Sequence, residues 1–230
     1  MSDTAYQALA LILPLIFAIV FHEFAHGWMA WALGDPTAYR MKRLTLNPLR
    51  HVDPIGTIVL PGILALVKAP VFGWTKPVPV NKWMLRNPRF GMMAVAAAGP
   101  ASNLVLAGIA AIALGLLLHP YVGLQEPDGL AGFAMLNLGN FISINIFLAL
   151  FNLLPIPPFD GSHIVEGLLP RSWAATYEKL RPLGFPLAIV LLIVLPSLIP
   201  GFDPVGTVVA PPVEWATRHY LALASFAAGQ

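Results

Sequence analysis

Apolar positions along this chain fall in long, nearly unbroken runs, not in the one-sided stripes of a soluble helix or strand. The first run spans about Tyr6 to Leu33 and is closed by Gly34, Asp35 and Pro36, a helix stop followed by a turn. A second, Ile55 to Val67, is short and interrupted by Pro61 and Gly62. The third, Gly91 to Leu118, is rich in Ala and Gly, small residues that let helices approach closely in lipid. The fourth, Ala131 to Leu154, carries Asn137, Asn140, Asn145 and Asn152. It runs into Pro155, Pro157 and Pro158, which cannot continue a helix. The fifth, Phe185 to Ile199, is shorter still. Residues 203–226 mix apolar positions with Glu214, Arg218 and His219, and either cross the membrane or lie on its surface. A crossing helix takes ~20 residues, so the pattern predicts an all-α polytopic membrane protein, a bundle of about 4–6 transmembrane helices.

Composition agrees. The chain is 57% hydrophobic and 10% charged, where a soluble domain carries about 25% charged residues. One membrane-embedded domain over residues 1–230 uses nearly all the length, with a core at about 6–164 and C-terminal helices at about 184–230. A net charge of +2 gives no footprint for nucleic acid. There are no cysteines, so disulfides and thiolate metal sites are excluded. The N-terminal MSDTAYQ lacks the basic region of a cleaved signal peptide, so the first run is expected to stay as a membrane helix.

Loop charges set the expected orientation in the cytoplasmic membrane. The loop after the first run holds Arg40, Lys42, Arg43 and Arg50 against Asp35 and Asp53. Lys68 to Arg89 holds five basic residues and no acid, whereas His119 to Leu130 holds Glu126 and Asp128 and no Lys or Arg. The positive-inside rule puts the first two loops in the cytoplasm, and the third and the N-terminus outside. Two successive cytoplasmic loops favour a re-entrant second segment over a short crossing. Within the second loop, FGWTKPVPV (72–80) reads as extended backbone, a β-like edge near the site. Ser162 to Gly184 reads as a polar cytoplasmic connector. The tryptophans Trp28, Trp31, Trp74 and Trp83 read as interfacial anchors.

The first run ends in Phe21–His26, FHEFAH. His22 and His26, four apart, share one helix face, the geometry for two imidazoles on one zinc ion with Glu23 beside them as general base. Two histidines and a carboxylate in hydrocarbon are costly and mark function. The fourth run descends to the same side and ends at the proline break before Asp160-Gly161, so Asp160 is expected on unwound backbone at a similar depth. A catalytic zinc site takes three protein ligands and keeps one position open, and His22, His26 and Asp160 make three. Such a centre activates a water for amide hydrolysis, with Glu23 taking the proton. His163 reads as a fourth ligand, a supporting donor or a surface residue; His51 and His219 have no evident partners.

Together FHEFAH and FNLLPIPPFDG resemble the two motifs of the site-2 protease family, intramembrane zinc metalloproteases, in their compact prokaryotic form without a PDZ domain. Gly99-Pro100-Ala101-Ser102-Asn103 is similar to a third, weaker family pattern, G-P-x-x-N. The resemblance spans about Phe21 to Ile164. It implies one zinc ion on His22, His26 and Asp160, and Glu23 as catalytic acid/base. It further implies that Asn152 stabilises the developing oxyanion, and that the substrates are transmembrane proteins or peptides in the bilayer. A zinc transporter or a proteolytically inactive zinc-binding scaffold is the alternative. Transport needs ligands reachable from both sides, and neither alternative needs Glu23.

Overall fold

The computed structural model describes residues 3–59, 75–123 and 127–230. Its helices are α1 (Asp3–Ala32), α2 (Pro88–Leu118), α3 (Gly129–Asn152), α4 (Asp160–Leu168), α5 (Arg171–Glu178), α6 (Arg181–Leu198) and α7 (Ala210–Ala227), joined by one-turn helices and irregular loops. Among the described residues there is no strand, and α1, α2, α3 and α6 are long and apolar enough to cross a bilayer. The protein is therefore the all-α polytopic membrane protein that the apolar runs predict. Leu11, Ile12, Leu15 and Phe17 on α1 and Val105, Ile109 and Leu116 on α2 stand exposed, as lipid-facing side chains do.

The chain forms two compact units. The first takes the chain up to Ile19, Pro100–Leu154 and Asp203–Gln230. Its core is built of small and branched residues: Ala107, Ala110, Ala111 and Leu114 of α2, Ile142 and Ile146 of α3, Ala216 and Ala224 of α7. Tail residues 203–230 thus pack as a helix against α2 and α3. Buried amides join the elements where lipid offers no hydrogen bond. Asn103 Nδ2 donates to Ala18 O at 3.2 Å and to Asn145 Oδ1 at 2.7 Å. Asn140 Nδ2 donates to Ala10 O at 2.8 Å.

The second unit, Val20–Gly99 and Pro155–Phe202, holds the end of α1, the start of α2, and α4 to α6. Ala30, Leu85 and Val95 form its apolar centre. Its loops are fastened by buried polar groups. Asp35 accepts from Thr37 N at 2.9 Å and from Asn81 N at 2.6 Å. Arg43 Nη2 donates to the carbonyls of Lys76 at 2.9 Å and Pro77 at 3.3 Å. His51 is buried, its ring donates to Thr45 O at 2.9 Å, and its own carbonyl accepts from Lys76 N at 2.9 Å.

Two expectations change, and a third falls mostly outside the described residues. Residues 75–80 form no strand; side chains and single backbone bonds hold them as irregular backbone, while 72–74 lie outside the described residues. Pro54–Val59 make one wide helical turn, and the remainder of the second apolar run, 60–67, lies outside the described residues, so re-entry against crossing is a question for them. Asp160 is not on unwound backbone. Irregular backbone occupies 153–159, and the extended Phe159 precedes Asp160, which is the first residue of α4. The polar connector is itself helical, with Pro182 at the start of α6 supplying the fixed φ suited to a helix N-terminus.

Candidate metal centre

The centre lies wholly within the second unit. On α1 the rings of His22 and His26 meet edge to face, centroids 4.6 Å apart. Asp160 reaches them from the first position of α4, where a carboxylate also suits the positive end of the helix dipole. His22 Nε2 lies 3.1 Å from Asp160 Oδ2, His26 Nε2 lies 3.3 Å from the same oxygen, and the two Nε2 atoms are 3.0 Å apart. His22 is buried and the other two are half-buried.

Spacing and protonation both bear on whether these donors suit a metal. Ligand atoms ~2.0–2.1 Å from a tetrahedral zinc ion stand about 3.3 Å from one another. The three edges here, 3.0, 3.1 and 3.3 Å, lie at or just inside that value. As for protons, His26 Nδ1 lies 2.7 Å from Val95 O, which only accepts, so Nδ1 carries the hydrogen and Nε2 of the neutral ring turns a lone pair inward. Asp160 also offers lone pairs. A centre where lone pairs converge is held together poorly by hydrogen bonds and well by a cation, and a carbonyl behind a ligand histidine is the usual support of such a site.

Gly99 of α2 forms the floor. A Cβ there would stand 2.5 Å from His26 Cε1 and Nε2 and 2.7 Å from His22 Cε1. Only a residue without a side chain leaves both imidazoles their positions. This gives the G-P-x-x-N stretch a second task besides the helix packing by Asn103.

Glu23 is half-buried, and its carboxylate turns to residues 75–80. Its Oε2 accepts from Val78 N at 2.9 Å, and its Oε1 lies 3.5 Å from Thr75 Oγ1. Gly27 admits this segment: a Cβ there would come within 2.9 Å of Val78 Cγ1.

His22, His26 and Asp160 thus come together, with Glu23 on the same turn of α1. His163 is not among the converging donors. Its Nδ1 accepts from Arg181 Nη2 at 2.8 Å, and Arg181 also pairs with Glu166. Burial pushes the His163 imidazole down, the Arg181 guanidinium adds to it, and the result is about 4. Asn152 belongs to the first unit, near the end of α3, where its Nδ2 donates to Leu148 O at 2.9 Å. Sequence reasoning missed the Val95 carbonyl, the Val78 N–H and the Arg181 contact. The first two are backbone groups without any signature in residue type. Arg181 looks like one more surface cation.

A membrane helix carrying H-E-x-x-H, with a carboxylate from a later element closing on both imidazoles, defines the zinc metalloprotease class. Comparison with known proteins agrees. The sequence profile of peptidase family M50 matches residues 125–195. The "Putative zinc metalloprotease YwhC" of Bacillus subtilis is 41% identical over 187 residues, covering 80% of each chain. The "Putative zinc metalloprotease Rip2" of Mycolicibacterium smegmatis is 28% identical over 183 residues, covering 80% of this chain and 66% of that one. The "Putative zinc metalloprotease MJ0611" of Methanocaldococcus jannaschii is 29% identical over 174 residues, covering 74% and 76%. No solved structure matches at a significant level. The chain belongs to peptidase family M50, the site-2 protease family.

Proposed function

We propose that this protein is an intramembrane zinc metalloendopeptidase that hydrolyses peptide bonds in membrane-spanning or membrane-adjacent segments. The observation that carries the reading is the convergence of three donor atoms within 3.3 Å, with the His26 tautomer set by a backbone carbonyl. His22, His26 and Asp160 hold one zinc ion. When bound, the ion supplies a Lewis acid that polarises the scissile carbonyl and acidifies a water. Glu23 takes the proton from the attacking water and returns it to the leaving amide nitrogen. The Val78 N–H bond aims the carboxylate. The substrate helix unwinds locally, because a hydrogen-bonded helix hides its carbonyls. Residues 75–80 offer it an irregular, helix-free flank. The role of Asn152 at the developing oxyanion rests on the family resemblance alone; its amide has a second N–H beyond the one on Leu148 O. The basic loops put the centre toward the cytoplasmic side of the cell membrane, with the N-terminus outside.

The test pairs metal content with cleavage. Purified protein in liposomes is expected to carry one zinc per chain and to cut members of a panel of single-span peptides. Asp160→Ala should lose the zinc. Glu23→Gln should keep the zinc and lose activity by about 10²–10⁴-fold. Undiminished cleavage by Glu23→Gln overturns the mechanism. Zinc flux across the liposomes without cleavage of any peptide overturns the peptidase reading.

A further inference from the structure

A cavity of about 430 Å³ opens in the second unit between α4, α5 and the 82–92 segment. This is the size of a ligand pocket. His163, Glu166, Lys82, Glu178, Arg89 and Met92 are among its walls. His163 lies three residues beyond Asp160 on α4, so the two side chains leave the same side of the helix, their Cβ atoms about 5–6 Å apart. His163 thus links the two along one helix face: it lines the cavity, while Asp160, one turn earlier, belongs to the metal centre.

Most charges in these walls are already matched. Lys82 Nζ pairs with Glu178 Oε1 at 2.5 Å. Arg181 pairs with Glu166. Arg89 donates to the carbonyls of Gly167, at 3.1 Å, and Leu169. Only Arg171, exposed at the rim, has no such bond among the described residues. Trp83, largely exposed, adds an indole N–H at the edge of these walls, and the remaining half-buried polar side chain is the His163 ring. Arg181 donates to Nδ1, so Nδ1 is the acceptor and Nε2 carries the hydrogen. The same guanidinium opposes a second proton on the ring. A fixed, neutral N–H donor among matched ions suits a neutral acceptor. In a peptide that acceptor is a backbone carbonyl.

We propose that His163 is a substrate-binding residue: its Nε2–H donates to a carbonyl of the peptide seated in this cavity, and Arg181 is the positioning residue that fixes the donating tautomer. The inference rests on the peptidase reading above and names where the substrate backbone is held. It separates His163 from the metal ligands, since its donor atom is protonated and cannot bind a cation.

The experiment compares His163→Ala, His163→Gln and His163→Asn. Glutamine puts an amide N–H near the position of Nε2; asparagine reaches only as far as Nδ1. One fluorescent single-span peptide that the wild type cleaves serves as probe. All three variants are expected to keep one zinc per chain. His163→Ala and His163→Asn should lose about 10–100-fold in kcat/KM, with His163→Gln within a few-fold of wild type. Binding of the same peptide to Glu23→Gln protein should weaken about tenfold on adding His163→Ala and recover with His163→Gln. Loss of zinc from the variants, wild-type activity in His163→Ala, or no recovery with His163→Gln overturns the proposal. A wild type that cleaves none of the peptides overturns the peptidase reading instead, so the two failures are distinguishable.

Discussion

At the scale of single residues, this centre depends as much on what is missing as on what is present. His22, His26 and Asp160 are legible in the sequence because metal chemistry restricts residue type and the helix restricts spacing. Gly99 is legible only as a small residue in a packing motif; its place 2.5 Å from an imidazole, measured to a Cβ it does not have, needs coordinates. Gly99→Ala is a small change in an Ala-rich helix that should leave the fold intact. It should push His26 off the Val95 carbonyl and lower zinc affinity by about 10–100-fold, as the loss of a ligand's support does elsewhere. A competitive zinc titration against a chromogenic chelator measures this. Unchanged affinity would mean that the imidazoles adjust without cost, and the floor would not be a floor.

At the scale of elements, the apolar runs give the long helices and the proline cluster gives the break before Asp160, because both depend on local rules. The helices beyond the break are harder to read. α4 and α5 are only two turns each, and their stability comes from packing and not from propensity. The 75–80 segment misleads for a related reason. Its Thr, Val and Pro pattern suits extended backbone, but no neighbouring strand is present among the described residues, so it is fastened by Arg43, His51 and Glu23 instead. Asp35 and Arg43 look in sequence like ordinary loop charges, yet they are 0% and 7% exposed. Arg43 thus helps to place the N–H that holds Glu23. Arg43→Ala leaves two carbonyls without their donor and should cost about 2 kcal/mol of stability. It should also lower kcat more than zinc content. A lower thermal midpoint by intrinsic fluorescence, read beside zinc content and turnover, checks both. Arg43→Lys, which keeps one donor, should fall between. Equal loss of zinc and turnover would reduce Arg43 to a purely structural role.

At the scale of the whole molecule, loop charge decides which side of the membrane the chemistry faces. Arg40, Lys42, Arg43 and Arg50 come after α1, while 119–130 carries Glu126 and Asp128 and no Lys or Arg. Some of this basic charge has a structural duty: Arg43 is buried against backbone carbonyls, so it cannot serve as a surface anchor. Arg40, Lys42 and Arg50 remain exposed, and by the positive-inside rule they are expected to hold the loop on the cytoplasmic side. The chain has no cysteine, so a single introduced thiol reports its own position without background. Lys42→Cys and Val122→Cys both fall at exposed positions outside the long helices. In intact cells a membrane-impermeant maleimide should label Val122→Cys and spare Lys42→Cys. In inverted membrane vesicles the pattern should reverse. The same pair tests the metal centre's placement, because Lys42 lies in the loop directly after the helix that carries His22 and His26. Labelling of Lys42→Cys from outside would turn the protein over. The peptide cut would then be released on the other side of the membrane, and the chemistry of the three donors would be unchanged.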